Sequence, residues 1–188
     1  MASGRRHQTI NLLLIATVGG LIATAMRLGY EPAWMHRLGL EWPAVVAFCG
    51  AYLFGTFFVT PDLDLAEQHV LAKRNWGWFG FMWVPYGLLF SHRGISHGWF
   101  LGPLTRLLYL VAVAALVVFG AYMAADALDR PLPRVNLPAR ISPLWMWPVG
   151  AAVAGFYVSQ WSHSIADGVG PWHGLKRLFR RGRRRRRR

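Results

Sequence analysis

Acidic residues are scarce in this chain: 8 Asp and Glu stand against 21 Lys and Arg in 188 residues. Cysteine is scarcer, with Cys49 alone, so no disulfide within the chain can brace the fold. Charge of either sign is missing from five long runs: His7–Met26, Trp42–Pro61, Asn75–His92, Leu107–Ala125 and Ile141–Ala166. These absences exclude a disulfide-stapled secreted scaffold and an acidic, solvated chain. They also argue against an ordinary soluble domain, which spreads its charges over a water-facing surface. A domain of this size has no room to bury four such helices inside a polar shell.

What is present is apolar and aromatic: 54% of the residues are hydrophobic, and 10 are Trp. A helix needs about 20 mainly apolar residues to cross the hydrocarbon core. The pattern predicts spans at about Ile10–Met26, Pro43–Thr60, Leu104–Ala125 and Leu144–Ile165. The expected fold class is therefore all-α, a multi-spanning membrane helical bundle of about four transmembrane helices. The first run follows Arg5 and Arg6 as in a signal peptide. It is long, however, and no small-residue cleavage site leads into a polar domain, so it reads as a span. Asn75–His92 reads NWGWFGFMWVPYGLLFSH, with three glycines and Pro85. Trp and Tyr favour the membrane–water interface, and broken backbone at membrane depth needs cover from protein or water. This run is expected to be an interfacial or re-entrant segment. Pro131, Pro133, Pro138 and Pro143 make the next connection extended. Residues 1–175 read as one membrane-embedded domain. Residues 176–188 form a low-complexity tail holding 10 of the 21 basic residues.

Charge sets the orientation. With a cytoplasmic N-terminus and four spans, Arg5, Arg6, Lys73, Arg74, Arg93 and the whole tail fall inside. Arg27, Arg37, Arg130, Arg134 and Arg140 fall outside, as the positive-inside rule prefers. The expectation is a multi-pass protein of a bacterial inner membrane with both termini cytoplasmic. The tail suits anionic lipid head groups, at about 1 kcal/mol per basic residue near the surface. Nucleic acid is the less favoured partner, because no aromatic residue follows Phe179 to stack on bases.

Four polar motifs interrupt the apolar chain, and span-counting puts all four at the cytoplasmic membrane surface. They are SGRRH ending at His7, PDLD with Asp62 and Asp64, SHRGISHG with His92 and His97, and HSIAD with His163 and Asp167. His163 and Asp167, four apart on a helix, share one face. Asp62 and Asp64 follow Pro61 and repel each other unless protonated or bridged by a cation. Singly, an HxxxD pair is a common surface or capping pair, and a DxD after Pro is a common helix start. Together, near membrane depth, such ionisable groups point to function. Mixed His and carboxylate ligands fit zinc, manganese or iron better than calcium. His36, His69 and His173 lack such company. No ionisable residue falls in the middle of a span, which disfavours a transporter.

Through SGRRH, PDLD, HRGISHG and HSIAD the chain resembles the bacterial membrane-bound metal-dependent hydrolase-like proteins. These include the LexA-binding inner-membrane-associated hydrolases and a branch of metal-binding relatives. The resemblance implies a polar site of His7, Asp62, Asp64, His92, His97, His163 and Asp167. Gln8 stands where the branch often carries an acidic residue. Wider relatives include zinc-dependent phospholipase C and single-strand nucleases, which implies a reaction class only. The reading is a membrane-bound metal-dependent hydrolase holding one or two divalent transition-metal ions, most readily zinc. It would act on a phosphoester or lipid-linked substrate at the cytoplasmic face, with Asp64 as a candidate base and Arg93 gripping phosphate. The alternative is a non-catalytic metal-binding membrane protein that acts as an adaptor or regulator.

Overall fold

A computed structural model describes residues 4–30, 42–65, 70–90, 96, 98–130, 132–133 and 142–170. His36, His69, His92, Arg93, His97, His173 and the basic tail lie outside the described residues. All regular structure among the described residues is helical. The long helices are α1 (Gly4–Arg27), α2 (Trp42–Phe57), α5 (Leu101–Ala127) and α6 (Pro143–Ala166). Between α2 and α5 come the short helices α3 (Leu71–Asn75) and α4 (Val84–Leu89), with 3-10 turns at Pro61–Asp64 and Gly77–Trp83.

Each expected span falls within or largely overlaps one long helix. Two of these, Gly4–Ala25 and Leu101–Ala127, are long and apolar enough to cross a membrane. Pro43–Phe57 is apolar but shorter. The aromatic run is broken into a 3-10 turn and a six-residue helix. Its glycines and Pro85 keep it from extending to membrane length. Gly80 lies so close to the Lys73 carbonyl that a Cβ there would stand 2.5 Å from the oxygen.

The central packing is α2 against α6. Gly55 and Gly155 allow it: a Cβ on Gly155 would lie 2.2 Å from the Phe48 carbonyl oxygen, and one on Gly55 would lie 2.1 Å from Ser159 Oγ. Small residues let helix backbones approach in this way. The seam between α1, α2 and α6 is polar. Asn11 Nδ2 donates to Thr56 Oγ1 at 3.1 Å and to the Ser159 carbonyl at 3.3 Å. Ser162 Oγ donates to Asn11 Oδ1 at 2.7 Å, and the Tyr52 hydroxyl to the Asn11 carbonyl at 3.0 Å. Meanwhile Leu13, Val18, Leu21 and Ile22 of α1 are exposed, as are Val111, Leu116, Val117 and Phe119 of α5. Beside the seam, Val59, Leu63, Ala72, Trp83, Tyr86 and Phe156 form the apolar core. The aromatic segment folds onto the Pro61–Asp64 turn through Trp83 and Tyr86.

Candidate metal centre

Four of the sequence-selected residues meet at one end of the bundle. His7 lies in the first turn of α1, on the face that carries Asn11 one turn later; both are buried. His163 lies in the last turn of α6 and is buried. Asp167 follows within one more turn, its amide bonded to the His163 carbonyl at 3.1 Å. Asp62 arrives from the turn after α2. Pro61 opens that turn and holds Thr60 extended (φ −90°, ψ 161°), the conformation that a residue before proline prefers.

The distances are those of a ligand set. His7 Nε2 stands 3.2 Å from Asp167 Oδ1, and His163 Nε2 stands 3.5 Å from Asp167 Oδ2 and 3.6 Å from Asp62 Oδ2. The two imidazoles stack, centroids 3.9 Å apart and planes 20° from parallel. Ligand atoms of His7, His163 and Asp167 all lie within 4.8 Å of one another. Buried His163 Nε2 makes no hydrogen bond, although carboxylate oxygens flank it. Ligands about 2.0–2.2 Å from a tetrahedral metal are about 3.3–3.6 Å apart. The two gaps at His163, 3.5 and 3.6 Å, are longer than good hydrogen bonds and match that edge, whereas the 3.2 Å between His7 and Asp167 is a hydrogen-bonding distance. The donor set therefore fits a divalent transition metal.

Burial pushes the Asp62 carboxyl up, but the neighbouring His163 outweighs it when protonated, and the net direction is down. Asp62 is thus held as a carboxylate. A small cavity of about 10 Å³, room for about one water, adjoins the cluster and is lined in part by Gly4, His7, Thr56, Thr60, Asp62 and His163.

The two aspartates of PDLD part company. A 3-10 helix turns about 120° per residue, so positions two apart point in different directions. Asp62 faces His163, whereas Asp64 is buried and accepts a 2.5 Å bond from Ser96 Oγ. Leu63, between them, plugs the apolar core. Lys73 donates to the Leu65 carbonyl and feels the Asp64 charge; burial pulls its ammonium below the usual lysine range, and Asp64 partly opposes this.

A family model described as "Uncharacterized metal-binding protein (DUF2227)" matches residues 2–177. The chain belongs to this family. The match speaks of metal binding; it carries no hydrolase and no LexA-binding relation. An Aquifex aeolicus (strain VF5) protein, named "Uncharacterized protein", is 43% identical over 65 residues, which is 35% of this chain and 45% of the relative. The chain thus spans less than half the length of the curated relative it matches. No solved structure matches it.

Sequence reading passed over several residues around this centre. Arg106 lies in the second turn of α5, wholly buried, where its Nη1 donates to Gln160 Oε1 at 2.9 Å. The signal was there: a charge inside a span-length apolar helix. Asn11 and Gln160 carried a weaker one, as polar residues one turn from His7 and His163.

Proposed function

We propose that this protein is a membrane-embedded metal-dependent hydrolase, holding a divalent transition metal through His7, Asp62, His163 and Asp167. The observation that carries the reading is the buried cluster of two imidazoles facing one carboxylate, with His163 Nε2 set between two carboxylates at 3.5 and 3.6 Å. Asp167 presents one oxygen to each histidine, which orients both rings. A divalent cation held there supplies Lewis acidity and lowers the pKa of water towards neutrality. Structural sites close around their metal, whereas catalytic sites keep a position open. The cavity beside Asp62 and His163, with room for about one water, supports an open position. A phosphoester or lipid-linked phosphate is the proposed substrate, with Arg93 gripping a phosphate oxygen.

The membrane reading rests on inverted burial. Polar His7, Asn11, Gln160 and His163 are inside, while large apolar side chains of α1 and α5 are outside. In water the preference runs the other way. The starts of α1 and α5 and the ends of α2 and α6 meet at the site, as alternating up-and-down spans require. Four spans with both termini cytoplasmic are proposed on this basis, with the aromatic segment lying at the interface and the tail on anionic lipid. Reporter fusions at residue 68 and at the C-terminus should report the cytoplasm, and one near Asn136 the opposite side.

Metal content of the full chain purified in detergent tests the ligand set. Wild type should retain metal, and His163→Ala and Asp62→Ala should each lose it while remaining folded. Full stoichiometry in both variants would sink the assignment. Phosphate release from phospholipids, nucleotides and lipid-linked phosphates tests the reaction. Metal-loaded protein inert on all three leaves the non-catalytic adaptor as the reading to keep.

A further inference from the structure

Arg106 is out of place by charge and by burial. It is 1% exposed inside a helix of membrane-spanning length, and a buried charge there is costly unless it is engaged. Its engagements lead in two directions. Nη1 donates to Gln160 Oε1 at 2.9 Å, and the same Gln160 side chain donates through Nε2 to the Val59 carbonyl at 2.7 Å. Gln160 precedes His163 by about one turn of α6. Nη2 donates to the Ser96 carbonyl, and Ser96 Oγ donates to Asp64 Oδ2 at 2.5 Å. The Ser96 backbone lies flat on α5, where a Cβ on Gly102 would stand 2.2 Å from the Ser96 oxygen.

The two branches end on either side of one short turn. Val59 precedes Pro61–Asp64 and Asp64 closes it; Asp62 stands between these ends and faces His163. We propose that Arg106 is a positioning residue: its guanidinium clamps both ends of the Pro61–Asp64 turn to α5 and α6, and so sets Asp62 against His163. The proposal rests on the metal reading for its consequence and on the hydrogen bonds alone for its geometry. Arginine suits the task because its planar fork serves two separated acceptors at once, which a lysine ammonium does less well. The Asp62 and Asp64 charges both act on the guanidinium, so the clamp also offsets negative charge around the site.

The test uses the full chain in lipid nanodiscs with Cys49→Ser, and two readouts. Cobalt(II) titration gives affinity and the visible absorption of the bound ion. Spin labels at Leu65 and Ile165 give the distance between the turn and the end of α6 without any metal. Arg106→Gln should weaken cobalt binding by about 10- to 100-fold, the usual loss when a group supporting a metal ligand is removed. It should also change the absorption and broaden the label distance. Arg106→Lys should recover part of both. Ser96→Ala, which cuts one branch only, should move both in the same direction by less. A wild-type label distance in Arg106→Gln overturns the proposal whatever cobalt does. A broadened distance with wild-type cobalt affinity and absorption overturns the link to the site. If Arg106→Gln fails to insert, unchanged distance and affinity in Ser96→Ala overturn the clamp. If wild type binds no cobalt, the metal reading fails, and the label distances still decide the role of Arg106.

Discussion

The two ends of the bundle are built differently. At the site end, His7 and Asn11 of α1, Thr56 of α2, Arg106 of α5 and Gln160 and His163 of α6 are all buried and polar. At the other end, Leu21 and Ile22 of α1, Phe119 and Met123 of α5, and Trp145 and Met146 of α6 are exposed and apolar. Cohesion is therefore concentrated where the chemistry is. Hydrogen bonds between membrane helices contribute only about 0.6 kcal/mol each on average. The polar seam thus specifies which faces meet and in what register, and close backbone contact at Gly55 and Gly155 supplies much of the attraction. The far ends show no hydrogen bond between long helices among the described residues, and apart from Ala44 and Ala125 they expose mostly apolar side chains.

Glycine substitutions break this comparison most directly. Gly155→Leu should abolish the folded bundle, because the Phe48 backbone occupies the space its Cβ needs. Gly20→Leu and Gly150→Leu should leave it intact, since nothing lies within 4 Å of either Cβ. Resistance to proteolysis in detergent reads the difference, and equal loss in all three would show that the far end is packed after all.

A smaller contrast comes from truncation. Leu63 is wholly buried between the two aspartates, and Leu63→Ala should cost about 2–5 kcal/mol. Leu116 is 68% exposed, and Leu116→Ala should fall within about 0.5 kcal/mol of wild type. Denaturant titration of the two variants checks this. A large loss at Leu116 would mean that another surface covers α5.

Acid should separate the ends more gently. Ligating imidazoles must be neutral, so metal occupancy should decline on acidification as protons compete for the imidazole nitrogens. The folded Asp62 carboxyl titrates below its ordinary value. Its contribution to stability is therefore present above about pH 4 and is lost only as pH falls through the lower folded value. Metal release should precede unfolding, leaving a metal-free folded chain between the two transitions. Metal content and circular dichroism across the range would show two transitions; a single coincident one would mean that the metal holds the bundle together.

The uncharged runs were legible in sequence because membrane-length hydrophobicity is a property of consecutive residues. The placement of HSIAD on one helical face was legible for the same reason. Asp62 and Asp64 look like a pair on paper, and the 3-10 turn after Pro61 sends them to different neighbours. Arg106 stands just before the charge-free run Leu107–Ala125, and such a run marks where charge stops but not where a helix begins.

By itself, then, the sequence determined the helical class, the approximate positions of the four long helices and the four polar motifs. Each depends on local composition or on spacing within one element. Only the tertiary structure decided that His7, more than 150 residues from His163, stacks against it, and that Arg106 bonds to Gln160 of α6 and to the Ser96 carbonyl. Those contacts depend on how close helices approach and how they are rotated about their axes. Both are set by where glycine replaces a side chain and by which buried polar groups find partners, and neither can be read along a single segment.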